Sequence, residues 1–243
     1  MLVLLPPSET KAGGGAGPAL DLDALSFPEL NLVRERLVSA LVVLARDVPA
    51  SLAALGLSER QSEEVARNAA VRSAPTLPAI RRYTGVLYDA LDAGSFSRAE
   101  RRRAGARLAV ASALFGVVRA EDAIPAYRLS GSSSLPGMGT LRSAWHPVLG
   151  KTLSTVDDLV LDLRSGPYAN LAPVPHAVTV RVVSAEGRLA ISHFNKAHKG
   201  RLAAALVKAP REPGSVRSVI RVAAAAGLRL EPAGERVLEL VVE

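Results

Sequence analysis

The sequence contains no cysteine, only two methionines and few aromatic residues, and these absences narrow its chemistry. Without thiols there can be no disulfide, no thiolate-held zinc, no iron–sulfur cluster and no thiol-based reduction of peroxide. No nucleotide P-loop is predicted either, because Lys11 precedes the glycine-rich stretch 13–17 instead of following it. We therefore expect no cofactor.

Long apolar runs are also missing. The opening MLVLLPP has an apolar run of five residues with no basic residue before it and no small-residue cleavage site, so it predicts neither a secretory signal nor a membrane anchor. Since 49% of the residues are hydrophobic, the chain can still bury a sizeable core. We expect a cytoplasmic protein without a membrane partner.

The formal net charge of +7 is concentrated in two regions. Residues 81–119 carry eight basic and three acidic side chains, and residues 176–221 carry nine and two, which leaves the rest of the chain acidic. Such concentration favours a polyanionic partner, either nucleic acid or a phosphorylated metabolite. The alternative is an ordinary solvated surface that happens to be rich in arginine.

The pattern of apolar residues predicts helices early and strands late. MLVLL reads as a buried strand, residues 28–45 as an amphipathic helix, and Ser58 as the N-cap of a second helix. The run RAERRRAGARLAVASALFGVV after Ser97 reads as one long helix, whereas LVLDLRS, AVTVRVVS and RVLELVVE read as strands. We predict an α+β fold in one mixed domain over residues 1–243. Its antiparallel or mixed sheet is built mainly from C-terminal strands plus the N-terminal strand.

Two segments suggest binding of phosphate. LPGMGT has the form of a helix-hairpin-helix turn, in which Gly137 and Gly139 would take positive φ and turn backbone N–H groups toward a DNA phosphate. A purely structural glycine loop is the alternative. In ISHFNKAHKGR, a strand with Phe194 in the core would feed a helix whose first turn presents Lys196 and Lys199, with Arg201 nearby, to an anion.

The two histidines of that second segment do not predict a metal site. His193 and His198 are five positions apart, which is not the i, i+4 spacing of a helical ligand pair, and no carboxylate lies near them in the sequence. We expect no bound metal.

Several loop motifs follow one another in a recognisable order. YTGVLYDAL, ASALFGVVRAEDAIPAYRL, Trp145 after a glycine loop, LDLRSGPYANL and ISHFNKAHKGR together resemble the YaaA family of peroxide-stress proteins, also called DUF328 or UPF0246. The resemblance spans nearly the whole chain. The residues that match the family motifs are Tyr83, Gly85, Gly116, Arg119, Asp122, Tyr127, Arg128, Ser165, Tyr168 and Lys196.

The resemblance implies a cytosolic protein that binds duplex or structured DNA and protects cells from peroxide, partly by limiting iron-dependent DNA damage. This chain departs from the family at its start, where Glu9 stands in place of the usual lysine and Lys11 follows two positions later. Ala120 and Pro167 likewise replace a usual proline and a usual acidic residue.

Two classes of function remain open from the residues themselves. In the first, the chain binds DNA without turnover through Arg119, Tyr127, Arg128, the two glycines of LPGMGT, Ser165, Tyr168 and the cations of ISHFNKAHKGR. Arg128 could instead tie its loop to the core, and Asp122 could orient Arg119 or Arg128. In the second, the chain is an enzyme acting on a purine nucleotide or on damaged DNA, with Lys11, Lys196 or Asp122 as catalytic candidates.

Overall fold

A seven-stranded mixed sheet organises residues 1–186 and 195–242, the parts of the chain that the computed structural model describes. Its spatial order is β10-β11-β9-β8-β1-β3-β4. The five inner strands are parallel to one another, and each of the two edge strands is antiparallel to the strand beside it. The strands are β1 Leu2–Leu5, β3 Leu108–Ser112, β4 Gly116–Arg119, β8 Val160–Asp162, β9 Val178–Ser184, β10 Arg229–Gly234 and β11 Val237–Val242. The predicted mixed sheet of N-terminal and C-terminal strands is confirmed.

Helices and two small hairpins connect the strands of this sheet. The small strands are β2 Leu77–Pro78, paired with β5 Ala123–Ile124, and β6 Ser134–Leu135, paired with β7 Gly139–Thr140. Short 3-10 turns occur at Pro28–Leu30, Glu59–Gln61 and Ala93–Ser95. The helices are α1 Asn31–Leu44, α2 Val48–Leu55, α3 Ser62–Ala69, α4 Ala79–Arg82, α5 Val86–Leu91, α6 Arg98–Arg107, α7 Leu141–Ser154, α8 Gly166–Ala169, α9 Asn195–Lys208 and α10 Val216–Ala225. Within the described ranges, none of these helices is long and apolar enough to cross a bilayer.

Strand β1 lies near the middle of the sheet, between β8 and β3. All four of its residues are buried, because a parallel strand with neighbours on both sides and cover on both faces exposes no side chain. The predicted strand at MLVLL is therefore confirmed, as are α1 at the predicted helix 28–45 and α9 after the segment ISHF.

The single long helix predicted after Ser97 is wrong. A capping box between Ser97 and Glu100 starts α6 as expected, but the helix ends at Arg107, and the apolar remainder forms β3 and β4. A short continuous apolar run suits a buried strand as well as a buried helix, so periodicity alone could not separate them. Pairing of β3 with β1 decides the outcome. Gly116, with φ 74°, begins β4 at a turn where a Cβ would be 2.8 Å from the Trp145 ring.

The helix-hairpin-helix prediction at LPGMGT is also wrong. Gly137 and Gly139 do take positive φ, 73° and 69°, but the turn joins the two-residue strands β6 and β7. Thr140 then caps α7, while the described segment 125–133 before the turn contains no helix. Only one helix flanks the turn, so the module lacks its first half.

Four buried arginines tie distant parts of the chain together. Arg34 donates to the carbonyls of Ser26, Phe115 and Val117, and Arg82 donates to those of Ala12, Pro75 and Ile124. Arg107 and Arg164 do the same for the end of α9 and the loop after β8. Part of the charge counted in the sequence is therefore structural.

Candidate functional site

The loops at the carboxyl ends of β1 and β8, together with one side of β9, border a cavity of about 690 Å³. In open sheets of this kind, ligands bind where the strand order reverses, because loops from neighbouring strands then diverge and leave a crevice. Here the order reverses at β1, which has β3 on one side and β8 on the other. The cavity is lined by Pro6 to Glu9 after β1, Arg164 to Tyr168 after β8, Thr179 to Val183 of β9, and Asn195, Lys196 and Lys199 of α9, together with Ser130, Ser132 and Glu239.

Lys11 lies just past this cavity wall and is buried, with 8% of its surface exposed. Its Nζ donates to the carbonyl oxygens of Ser8 at 3.1 Å and Glu9 at 3.4 Å, both of which belong to residues that line the cavity. The pKa of Lys11 is lowered from 10.5 to about 7, chiefly because burial disfavours the charged form; the charge of Glu9 acts in the opposite direction, and that of Arg128 contributes to the lowering. A substantial share of neutral amine is therefore present at neutral pH.

Lys11 sits against a cluster that contains every tyrosine of the chain. Its Nζ is 4.2 Å from the centroid of the Tyr127 ring and 5.3 Å from that of Tyr83. The Tyr127 hydroxyl is 2.8 Å from the hydroxyls of both Tyr83 and Ser112, and Tyr88 stacks on Tyr83. Burial raises the pKa of Tyr83 to about 12 and raises the pKa values of the other three. The hydroxyls therefore remain protonated and can donate hydrogen bonds.

Arg128 joins the loop before β6 to the loop after β1. Its guanidinium lies 3.3 Å from the Glu9 carboxylate and donates to the Glu9 carbonyl at 3.2 Å. The side-chain amide of Asn68 in α3 accepts a hydrogen bond from the Arg128 backbone N–H at 2.7 Å and donates one to the Arg128 carbonyl at 2.9 Å. Of the two roles left open for Arg128, the structure shows the loop-tying one, and it uses Glu9, the residue that departs from the family motif.

Two predicted lysines meet at the opposite wall of the cavity. Lys196 is exposed at the start of α9, and Lys199, one turn later, donates to the carbonyl of Leu163 at 3.0 Å. Burial lowers the pKa of Lys199, and the nearby Asp162 partly offsets this. Predicted residues Ser165 and Tyr168 also line the cavity. Tyr168 accepts a hydrogen bond from the backbone N–H of Gly131 at 3.1 Å, which fixes its ring.

Several residues at the site were not predicted from the sequence. Arg164 lines the cavity and is neutralised by a two-pronged ion pair with Asp162, at 2.9 and 2.8 Å. Arg181 of β9 and Glu239 of β11 stand side by side on the cavity floor, where their Cα atoms are paired. The signal for Arg181 was its place as a polar residue within the apolar alternation of AVTVRVVS.

Other predicted residues lie elsewhere. Asp122 accepts from Ser26 and from the backbone N–H of Arg119, so the prediction that it orients a guanidinium is wrong. The Arg119 side chain donates to Ala106 and lies over the Phe27 ring. Gly137 and Gly139 do not line the cavity, and Arg201 lies with His198 in a separate depression against β10 and β11. His193 and Phe194 are outside the described residues.

The exposed cations of the two basic regions adjoin at the far end of α9. Arg103 of α6 donates to the carbonyls of Val207 and Lys208, and the same two segments carry further exposed cations, namely Arg98, Arg101, Arg102, Lys208 and Arg211. Since α9 has 14 residues, the junction is about 20 Å from the cavity end of the helix. In the described parts of the chain, no group of three or more His, Asp or Glu side chains is placed to hold a metal ion.

These features define a mixed-sheet protein with a ligand-sized cavity at the carboxyl edge of its strands. Residues 1–232 match the family described as peroxide stress protein YaaA. The chain is 50% identical to a UPF0246 protein of Corynebacterium efficiens, with 95% of each chain covered, and 45% identical to one of Corynebacterium glutamicum, with both chains fully covered. A UPF0246 protein of Streptomyces coelicolor is 44% identical over 91% of this chain and 89% of its own. The chain belongs to the YaaA family of peroxide-stress proteins, as its motifs predict.

Proposed function

We propose that the protein binds DNA in the cytoplasm, takes one nucleotide unit into the cavity at the carboxyl edge of the sheet, and so protects DNA from oxidative, iron-dependent damage. Family membership supports the peroxide-stress role. The observation that carries the binding part is the cavity itself. At about 690 Å³ it lies within the range of roughly 300 to 1,000 Å³ that is usual for pockets that hold small ligands.

The lining of the cavity suits a nucleotide. Lys196 stands in the first turn of α9 and Lys199 at the start of the second, where the positive end of a 14-residue helix adds to their charge. Apolar surfaces of Pro167 and Tyr168 offer places against which a flat base can pack. Phosphate at the α9 wall and base toward the floor is the orientation that this distribution favours.

A whole duplex cannot enter such a cavity, so the duplex must lie outside it. The exposed cations around the junction of α6 and α9 supply a basic surface for phosphates, and counterion release at such a surface favours binding. The cavity would then take a nucleotide that is unpaired or turned out of the stack, which costs least where a base is damaged or missing.

A free phosphorylated purine nucleotide is the second candidate ligand, because the cavity is nucleotide-sized whether or not a strand is attached. Fluorescence anisotropy decides between the two. The experiment uses an intact duplex, the same duplex with one unpaired nucleotide, and a free purine nucleotide as competitor, each at several salt concentrations. We expect binding that weakens steeply with salt and is tighter for the unpaired site.

Three other outcomes would change or overturn the proposal. If purine nucleotides raise the melting temperature while no DNA binds even at low salt, the second candidate replaces the first. Affinity for DNA that does not change with salt would contradict the basic-surface argument. Failure of both DNA and nucleotides to bind would overturn the proposal.

A further inference from the structure

We infer that Lys11 is a nucleophilic amine that forms an imine with the C1′ aldehyde of an abasic deoxyribose presented by DNA in the cavity. This rests on the proposed function, because DNA binding brings the sugar to the site, and it adds an activity and a substrate class. Abasic sugars are products of oxidative DNA damage, and their ring-opened form is an aldehyde.

The Lys11 amine lies just behind the cavity wall. Both carbonyl oxygens that hold Lys11 Nζ, those of Ser8 and Glu9, belong to the cavity wall formed by the loop after β1. Lys11 does not itself line the cavity, but it keeps 8% exposure and is bonded to two residues that do, so the inference requires its flexible stem to carry the amine past them. On the other side, Lys196 and Lys199 stand where the flanking phosphates of a strand would lie.

In the described part of the chain, the Lys11 amine forms no ion pair with a carboxylate. Within residues 1–186 and 195–242, no carboxylate comes within ion-pair distance of its amine, because the Glu9 carboxylate pairs with Arg128 instead. Two carbonyl oxygens and two ring faces contact the amine, but without a carboxylate at ion-pair distance its burial still disfavours the charged form. The same surroundings favour the neutral amine that a nucleophile needs, in agreement with its lowered pKa.

A row of hydrogen-bonded hydroxyl groups lies beside the amine. Tyr83 and Tyr127, whose rings flank Lys11, have hydroxyls 2.8 Å apart, and Tyr127 continues the chain to Ser112. Protonated hydroxyls in a connected row can pass protons during a reaction that both consumes and releases them. The cluster thus provides, close to the amine, groups that imine formation requires.

The imine forms by addition of the amine to the aldehyde and then loss of water. The lone pair of neutral Nζ attacks C1′, an N–C bond forms, and the carbonyl π bond breaks as its oxygen takes up a proton. The nitrogen then loses one proton, the hydroxyl takes up a second and leaves as water, and a protonated imine remains. No oxidant, reductant or metal is needed.

The step should be faster as the amine becomes neutral, so adduct formation should increase with pH through about 7. The charged groups that act on the Lys11 amine come from the loop after β1, from α3 and from the loop before β6. They are Glu9, Glu64, Arg67 and Arg128, with the rings of Tyr83 and Tyr127 in contact.

Reductive trapping tests the inference. A duplex with one abasic site is incubated with the protein and borohydride, and the covalent adduct is mapped by peptide mass spectrometry. We expect an adduct at Lys11 that is lost in Lys11→Arg, which keeps the charge, but retained in the matched control Lys151→Arg at an exposed position of α7. An adduct that persists in Lys11→Arg, or that maps to another lysine, overturns the inference.

Two further arms keep the inference separate from DNA binding and from folding. If abasic duplex binds but no adduct forms, the inference fails and the proposed function stands. If no DNA binds, trapping with 2-deoxyribose 5-phosphate tests Lys11 alone: an adduct there supports the amine, and none overturns it. In wild-type protein, acetylation of amines across pH 5 to 9 should modify Lys11 with a midpoint near 7. A Lys11 that is never modified while the protein is folded is out of reach, and the inference fails.

Discussion

The amine of Lys11 lies 4.2 Å from the centre of the Tyr127 ring, and the hydroxyl of that same ring is hydrogen-bonded to the hydroxyls of Tyr83 and Ser112. A lysine that follows the first strand is thereby packed against a tyrosine more than a hundred positions later, at the edge of the sheet where the cavity opens. Burial at this place makes Lys11 a titrating group near neutral pH.

The stability of the protein should depend on this titration. The pKa of Lys11 is about 7 in the folded protein and close to 10.5 in the unfolded chain, so between these values the unfolded chain binds more protons. The free energy of unfolding of the wild type, measured against Lys11→Met, should therefore rise between pH 7 and 9.5, by up to about 1.4 kcal/mol per pH unit. Urea denaturation at several pH values measures it. A difference that stays flat or falls over this range would contradict the burial argument.

Lys196 should contribute to binding and little to folding. It is exposed at the cavity, so Lys196→Ala should leave the melting temperature nearly unchanged while weakening DNA binding by about 1.5 to 3 kcal/mol, as expected for a charge-assisted contact. Lys151→Ala makes the same change of charge at an exposed site outside the cavity and should have a much smaller effect. Anisotropy titrations of both variants at one salt concentration make the comparison. Equal effects would show that only net charge matters.

The buried ion pair between Asp162 and Arg164 should be expensive to break. Asp162→Asn leaves the guanidinium buried without its counter-charge, so we expect a loss of about 3 to 5 kcal/mol in the free energy of unfolding. Glu35→Gln removes a carboxylate from an exposed pair with Arg72 and should cost less than about 1 kcal/mol. Chemical denaturation of the two variants gives both values. Similar small losses would mean that the Arg164 site is better hydrated than its burial indicates.

Two helical glycines should respond to alanine with opposite sign. A Cβ at Gly200 of α9 would overlap the carbonyl oxygen of Leu87 and press on Ala90 in α5, so Gly200→Ala should destabilise the protein by about 1 to 3 kcal/mol. Gly150 of α7 has open space around it, and Gly150→Ala should stabilise by about 0.5 to 1 kcal/mol through helix propensity. Thermal melts of the pair test the close packing of α9 on α5, which fails if both variants shift in the same direction.

Much of the fold could be predicted from apolar patterning, and its failures have a common cause. MLVLL and residues 28–45 were assigned correctly because run length and period were each sufficient there. The run after Arg107 was assigned to a helix because a strand buried on both faces carries no alternation. Helix α7 was missed because Pro147 and Gly150 interrupt its sequence, although Thr140 is a regular N-cap.

The candidate site was predicted in part. Ser165, Tyr168, Lys196 and Lys199 do line one cavity, since strand ends and helix starts can be located from the sequence. The direction of a loop side chain cannot be predicted in this way. Asp122 was therefore predicted to orient Arg119 or Arg128, whereas it accepts hydrogen bonds from the backbone and hydroxyl of Ser26. That Glu9 would take Arg128 as its partner, and leave Lys11 without one, depends on a contact between loops 119 positions apart.

The position of β1 determines the order in which the protein can be completed during synthesis. The first strand made is a central one, and its partners β3 and β8 begin only at residues 108 and 160. A growing chain therefore carries MLVLL without a partner strand until β3 is made, and one of its edges stays unpaired until β8 follows at residue 160. High sequence separation of this kind slows folding and exposes the nascent strand to aggregation. The sheet therefore protects these early residues on both edges only after most of the chain has been made.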